Sequence, residues 1–176
     1  METLPRITGE RVTLRPITEA DTDLIVRWRN TPSVVRNFIF REPFTPEMHR
    51  NWLATKVATG QVVQYIIVDK AEDRPVGSVY FRDVDPVNHS AEYGIFIGEE
   101  DARGQGFGSE TARLFTEFGF ARLGLHRISL RLLEENLPAR RSYEYAGFRE
   151  EGTFRDMVLL DGRYRNVVFM ARLAGE

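Results

Sequence analysis

The chain of 176 residues carries 24 basic against 26 acidic side chains, 42% hydrophobic and 11% aromatic residues, and no cysteine. Disulfides, zinc thiolate centres and thiol nucleophiles are thereby excluded, and the near-balanced charge supplies no global field that would draw the protein onto nucleic acid or an anionic membrane. The length fits one domain, residues 1–176, large enough to bury about 70% of the extended chain's surface around a single core.

The amino terminus has no apolar run of signal-peptide length, and no stretch reaches the ~20 apolar residues of a membrane span, so the sequence predicts a cytosolic protein. Val12 and Leu14 alternate with polar neighbours and predict a strand over residues 11–16. Thr18 then offers a cap for a helix over residues 19–29, where Leu24, Ile25 and Trp28 share a face. Thr45 followed by Pro46 starts a second helix, because proline at the first helical position gives up only an amide that would be unpaired. Three closely spaced strands follow at residues 63–68, 75–82 and 90–97, an antiparallel meander.

A glycine-rich stretch, Arg103 to Gly108, precedes a helix whose Ala112, Leu114, Phe115, Phe118 and Ala121 form a broad apolar face. A strand at residues 126–132 and a helix at 138–146, stopped by Gly147, come next. Two strands then flank Asp161 and Gly162, a dipeptide favoured in tight hairpins. The whole predicts a mixed α/β (α+β) fold, a largely antiparallel sheet of about seven strands covered by about four helices. It lacks the strand and helix alternation of a doubly wound fold.

Arg103, Gly104, Gln105, Gly106, Phe107 and Gly108 sit between a strand and a helix start. Unpaired amides and glycines there suit a bound pyrophosphate; a turn that merely connects two elements is the alternative. A phosphate loop of the nucleoside triphosphatases would need Lys and then Ser or Thr after Gly108, where Ser109 and Glu110 stand. A dinucleotide fingerprint starting at Gly104 would need Gly or Ala in place of Ser109. The surviving pattern, Arg-any-any-Gly-any-Gly, resembles the acetyl-CoA loop of the Gcn5-related N-acetyltransferase (GNAT) superfamily. Together with RVTLRPITEADTDLIVRWRN, AEYGIFI and ENLPARRSYEYAGFREEG, in that order around it, the loop resembles the RimJ/RimL-like branch.

That resemblance implies an enzyme that transfers the acetyl group of acetyl-CoA, its cosubstrate, to a primary amine in a ternary complex. A free alkylamine with a pKa near ~10.4 is protonated at neutral pH, so a proton acceptor is required. Glu92, in the strand before the loop, is the candidate base, acting directly or through a water; its alternative is a strand carboxylate paired with an arginine of residues 127–131. The resemblance assigns backbone amides at Phe96 and Ile97 to the pantetheine arm and the developing oxyanion, Asn136 to the pantetheine region, and Tyr143 to protonation of the departing thiolate. Tyr143 could instead be a ring packed on the sheet. Arg140 and Arg141 precede it and suit either the 3′-phosphate of CoA or solvent.

The resemblance places the acceptor among the first two helices and the final hairpin. Trp28, Asn30 and Arg36 are the acceptor candidates, with Arg29, Phe38, Phe40 and Trp52 beside them. The acceptor class expected is a protein N-terminal α-amine or a small-molecule amine. An amino-sugar nucleotide, stacked on aromatics and paired to arginine, is the alternative, and a catalytically silent acetyl-CoA binding module is a second. His49, His89 and His126 lack metal-ligand spacing, so no metal is expected. No nucleic-acid or membrane partner is expected, and a homodimer is compatible with the sequence.

Overall fold

The computed structural model describes residues 4–176. Among them the chain forms one eight-stranded sheet with five α-helices. The strands are β1 (Ile7–Thr8), β2 (Val12–Pro16), β3 (Val63–Asp69), β4 (Arg74–Asp85), β5 (Ser90–Ile97), β6 (Arg127–Leu133), β7 (Arg149–Leu160) and β8 (Arg163–Leu173). The helices are α1 (Thr22–Asn30), α2 (Pro32–Val35), α3 (Pro46–Trp52), α4 (Phe107–Leu123) and α5 (Leu137–Tyr145). The sheet runs β1-β2-β3-β4-β5-β6-β8-β7, antiparallel except for the β5·β6 pair. No helix of the described residues is long and apolar enough to cross a membrane.

Three local features depart from the sequence expectation. Two-residue β1 and four-residue α2 add an eighth strand and a fifth helix, both too short to show a periodicity. The helix expected after Thr18 begins with a 3₁₀ turn, Glu19–Asp21, in which Asp21 folds back to accept from the Thr18 amide at 2.9 Å. Helix α3 continues as a π-helical turn, Leu53–Val57, before the chain turns away at Gly60.

Alternation along the strands divides the core between two faces. Val79, Phe81, Ala91, Tyr93, Ile128 and Leu130 point toward α4 and α5, where Phe115 stacks on Phe81 with ring centres 4.3 Å apart. Fully burying each such large apolar side chain contributes about 1.5–3 kcal/mol. Ile66, Val68 and Phe96 pack instead against α1 and α2 through Ile25, Trp28 and Val34.

The parallel junction shapes the site. Strands β5 and β6 pair only at Ser90↔Arg127, Ala91↔Ile128 and Glu92↔Ser129; past Glu92 no pairing between them is formed among the described residues. A register shift in β4 between Arg82 and Asp85 lies beside this fork, where an irregularity of that kind adds twist. The second half of β5 therefore has a partner on one side only, and a cavity of about 640 Å³ opens there, lined from both faces of the sheet.

Candidate active site

The glycine turn closes one end of the cavity. Gly106 is the N-cap of α4 with φ +84°, a left-handed conformation that an L side chain adopts only with strain. The first intrahelical bond runs from the Glu110 amide to the Gly106 carbonyl, and no side chain caps the preceding amides. The first turn of a 17-residue helix thus presents unpaired N–H groups and its partial positive charge to the cavity. The turn between β1 and β2 braces the glycine turn: Arg11 donates to the Gln105 carbonyl at 2.7 Å, and Glu110 accepts from the amides of Glu10 and Arg11.

Arg103 adds the charge. Its Nε donates to the Ile97 carbonyl at 3.2 Å, while Nη2 is buried against the cavity with no partner among the described residues. Buried guanidinium nitrogens are costly to leave unpaired, and the absence of side chains at Gly104, Gly106 and Gly108 lets a ligand approach the backbone of this turn, so the residues fit a diphosphate. Phe107 is buried in the core and anchors the helix start. Gln105 does not line the cavity; its side chain turns back to the Asp101 carbonyl, which leaves its backbone alone for a cofactor.

Adjacent amides on a strand point in opposite directions, and this corrects one expectation. The Gly98 amide donates to Val76 of β4, so in register with Ser78 the Phe96 amide also faces β4. Ile97 faces the open side, consistent with its carbonyl accepting from Arg103. Of the two amides expected in the gap only that of Ile97 points there, while Phe96 contributes a buried ring packed edge-on against Trp28 and Phe38.

Helix α5 lies along the same opening. Asn136 caps it, accepting from the Ala139 amide at 3.4 Å, and lines the cavity. The Ser142 and Ser109 hydroxyls, 2.8 Å apart, tie α5 to α4. Tyr143 is buried at 8% exposure, edge-on to Tyr93 and Phe148, and lines the cavity. Burial, aided by Tyr80, holds its phenol well above the usual value, so it stays protonated. Tyr93, which sequence reasoning did not single out, is buried with its hydroxyl unpartnered, and burial raises it likewise.

Charged residues gather on the opposite face. Glu92 lines the cavity, and its Oε1 accepts from Arg82 Nη2 at 2.6 Å and Arg131 Nε at 3.0 Å. Pairing with a β6 arginine was one of the sequence alternatives; Arg82 was not foreseen, although it stands directly across from Glu92 in the β4·β5 register. Among the described residues no protein donor reaches Oε2. Arg29 also lines this end, with its guanidinium 5.3 Å from the Phe38 ring and 4.4 Å from the Phe44 ring.

The three acceptor candidates do not reach the cavity. Trp28 is fully buried and donates to Glu99 at 2.8 Å. Asn30 clamps the α1–α3 connection by donating to the Phe44 carbonyl and accepting from its amide at 2.9 Å. Arg36 is exposed; its amide donates to the Pro32 carbonyl and its own carbonyl accepts from Arg41, and its side chain does not line the cavity. Trp52 is bonded to Gln64 instead of lining the cavity, and His49 is buried against Thr22. Arg140 is spent on Glu144 and Glu150.

Comparison with known proteins identifies the family. A family model described as an acetyltransferase (GNAT) domain matches residues 11–149. An uncharacterised N-acetyltransferase, p20, of Bacillus licheniformis is 29% identical over 95% of this chain and 95% of its own length. A spermidine N(1)-acetyltransferase of Vibrio cholerae is 28% identical, covering 90% of this chain and 91% of that protein. The crystal structure of a spermidine N-acetyltransferase from Vibrio cholerae in complex with CoA and spermine superposes with a TM-score of 0.86 at 25% identity, covering 94% of this chain and 96% of that one.

Proposed function

The chain belongs to the GNAT acetyltransferase family, and from that membership we propose that it transfers the acetyl group of acetyl-CoA directly to a primary amine within a ternary complex. The observation that carries this reading is the continuous cavity at the β5·β6 fork, which joins the glycine turn on one face of the sheet to Glu92 on the other. When bound, acetyl-CoA supplies an acetyl group activated as a thioester. The α4 amides and Arg103 Nη2 hold its diphosphate, and the open edge of β5 with Asn136 takes the pantetheine arm. The Ile97 amide, already fixed by the sheet, stabilises negative charge on the acetyl oxygen without reorganising. Oε2 of Glu92 takes the amine proton, directly or through a water, while Arg82 and Arg131 fix the carboxylate through Oε1. Tyr143, kept neutral by burial, donates its proton to the departing thiolate.

The order of the four sequence segments supports the finer placement in the RimJ/RimL-like branch, whereas the named relatives include spermidine acetyltransferases. Release of CoA thiol from acetyl-CoA, followed across peptide α-amines, amino sugars, amino acids and polyamines, tests the reading. Turnover on one class of amine is expected. Saturable acetyl-CoA binding with no turnover on any acceptor would instead make the chain a silent binding module.

A further inference from the structure

The charge at the acceptor end of the cavity is inverted relative to what a polycation needs. Apart from Arg103 in the glycine turn, the charged side chains lining the cavity are Arg29, Arg82, Arg131 and one carboxylate, Glu92. Glu92 answers two of these guanidiniums through a single oxygen. Arg29 makes no ion pair among the described residues, and its Nε is buried without an acceptor. Its guanidinium lies over the rings of Phe38 and Phe44. Ser33 Oγ, from α2, is buried and unpartnered on the same wall.

A half-buried arginine whose Nε is shut off from water, set against two aromatic rings and sharing the cavity lining with the Ser33 hydroxyl and a second guanidinium, Arg82, offers its donor fork to an anion. Guanidinium cannot relieve its burial by losing a proton, and ring contacts offset only part of that cost, so an anion seated on it is favoured. A planar donor fork suits a carboxylate or a phosphate.

We propose that the amine accepted by this chain carries an anionic group, carboxylate or phosphate, seated on Arg29 and Ser33 Oγ with Arg82 and Arg131 alongside. The inference rests on the acetyl-transfer reading and narrows its acceptor. The primary amine then lies toward Glu92, and polyamines are disfavoured because every added ammonium meets uncompensated positive charge.

Matched acceptor pairs test this: an ω-amino acid against its amide, an aminoalkyl phosphate against the parent amino alcohol, and spermidine beside them. The anionic member of at least one pair should exceed its neutral counterpart in kcat/KM by about tenfold or more, as charged hydrogen bonds do. The carboxylate and phosphate arms identify which anion is read. Arg29→Gln should abolish that preference while the acetyl-CoA dissociation constant is kept, and Arg29→Lys should restore part of it. Equal turnover of charged and neutral members, or spermidine as the best acceptor, would overturn the inference and leave acetyl transfer standing. If no amine turns over, acetyl transfer fails. Calorimetry of an alkyl carboxylate and an alkyl phosphate on the CoA-loaded protein then decides the anion site: binding lost in Arg29→Gln supports it, and no binding overturns it.

Discussion

Replacing Tyr143 with Phe removes one oxygen from the cavity wall and little else. The ring centre stays 5.9 Å from Tyr93 and 6.0 Å from Phe148, so the edge-on contacts survive. The hydroxyl makes no hydrogen bond to any described residue, and stability should fall by less than about 1 kcal/mol. A general acid contributes typically about 10²- to 10⁴-fold, equivalent to about 3–5 kcal/mol of barrier. Tyr143→Phe should therefore lower kcat by about a hundredfold or more, with the acetyl-CoA dissociation constant nearly unchanged. Burial holds the phenol above its ordinary value, so its ionisation sets no limb of the pH profile near neutrality. The assay is thiol release under saturating acetyl-CoA, with calorimetry of acetyl-CoA binding alongside. An undiminished kcat, or a loss confined to cofactor affinity, would remove Tyr143 from the acid role.

Other substitutions probe the rest of the site and the fold. At Gly106 an added Cβ would meet a left-handed φ of +84° and stand 3.2 Å from Arg11 Nη1. Gly106→Ala should cost about 1–2 kcal/mol of backbone strain and, read by calorimetry, weaken acetyl-CoA binding about tenfold. Glu92→Gln keeps an acceptor for both arginines but cannot take a proton, so kcat should fall by about a hundredfold or more; an undiminished kcat would assign the base elsewhere. Burial pushes Tyr65, which donates to the Pro5 carbonyl, up to about 12 from an ordinary 10.0. The folded state then holds that proton more tightly than the unfolded one, so stability is full below pH ~10 and falls by up to about 3 kcal/mol as pH rises toward ~12. Denaturant titrations should show that decline in the parent chain and a shallower one in Tyr65→Phe.

What the sequence made legible was whatever repeats at short range. Period-two alternation located β5, Ser90–Ile97, residue for residue, and Asp161 and Gly162, both with positive φ, mark the final hairpin as expected. The glycine turn was equally visible, because a left-handed φ beside a helix start favours glycine, whereas Tyr143 was marked by the family resemblance and the structure places it on the cavity wall. The acceptor end was legible only in part: Arg29, Phe38 and Phe40, named beside the three candidates, line the cavity. Residue type suggested Trp28, Asn30 and Arg36, but the docking of α1 decides which side chain faces the cavity. Adjacent residues on a helix lie about 100° apart, so with Trp28 turned into the core it is Arg29 that reaches the opening. The Arg82–Glu92–Arg131 cluster depends on the register of β4 on β5 and on β6 arriving from 39 residues further along, which composition does not encode. Phe96 shows the same limit within a single strand, since direction alternates and two neighbouring amides cannot both face the fork.

Calorimetric titration of the folded chain with coenzyme A addresses the shared premise of these roles, that the α4 amides and Arg103 seat a diphosphate at the mouth of the β5·β6 fork. A saturable isotherm with one site per chain, weakened in Gly106→Ala, is the expected result. Absence of heat and of saturation on well-folded protein would contradict it.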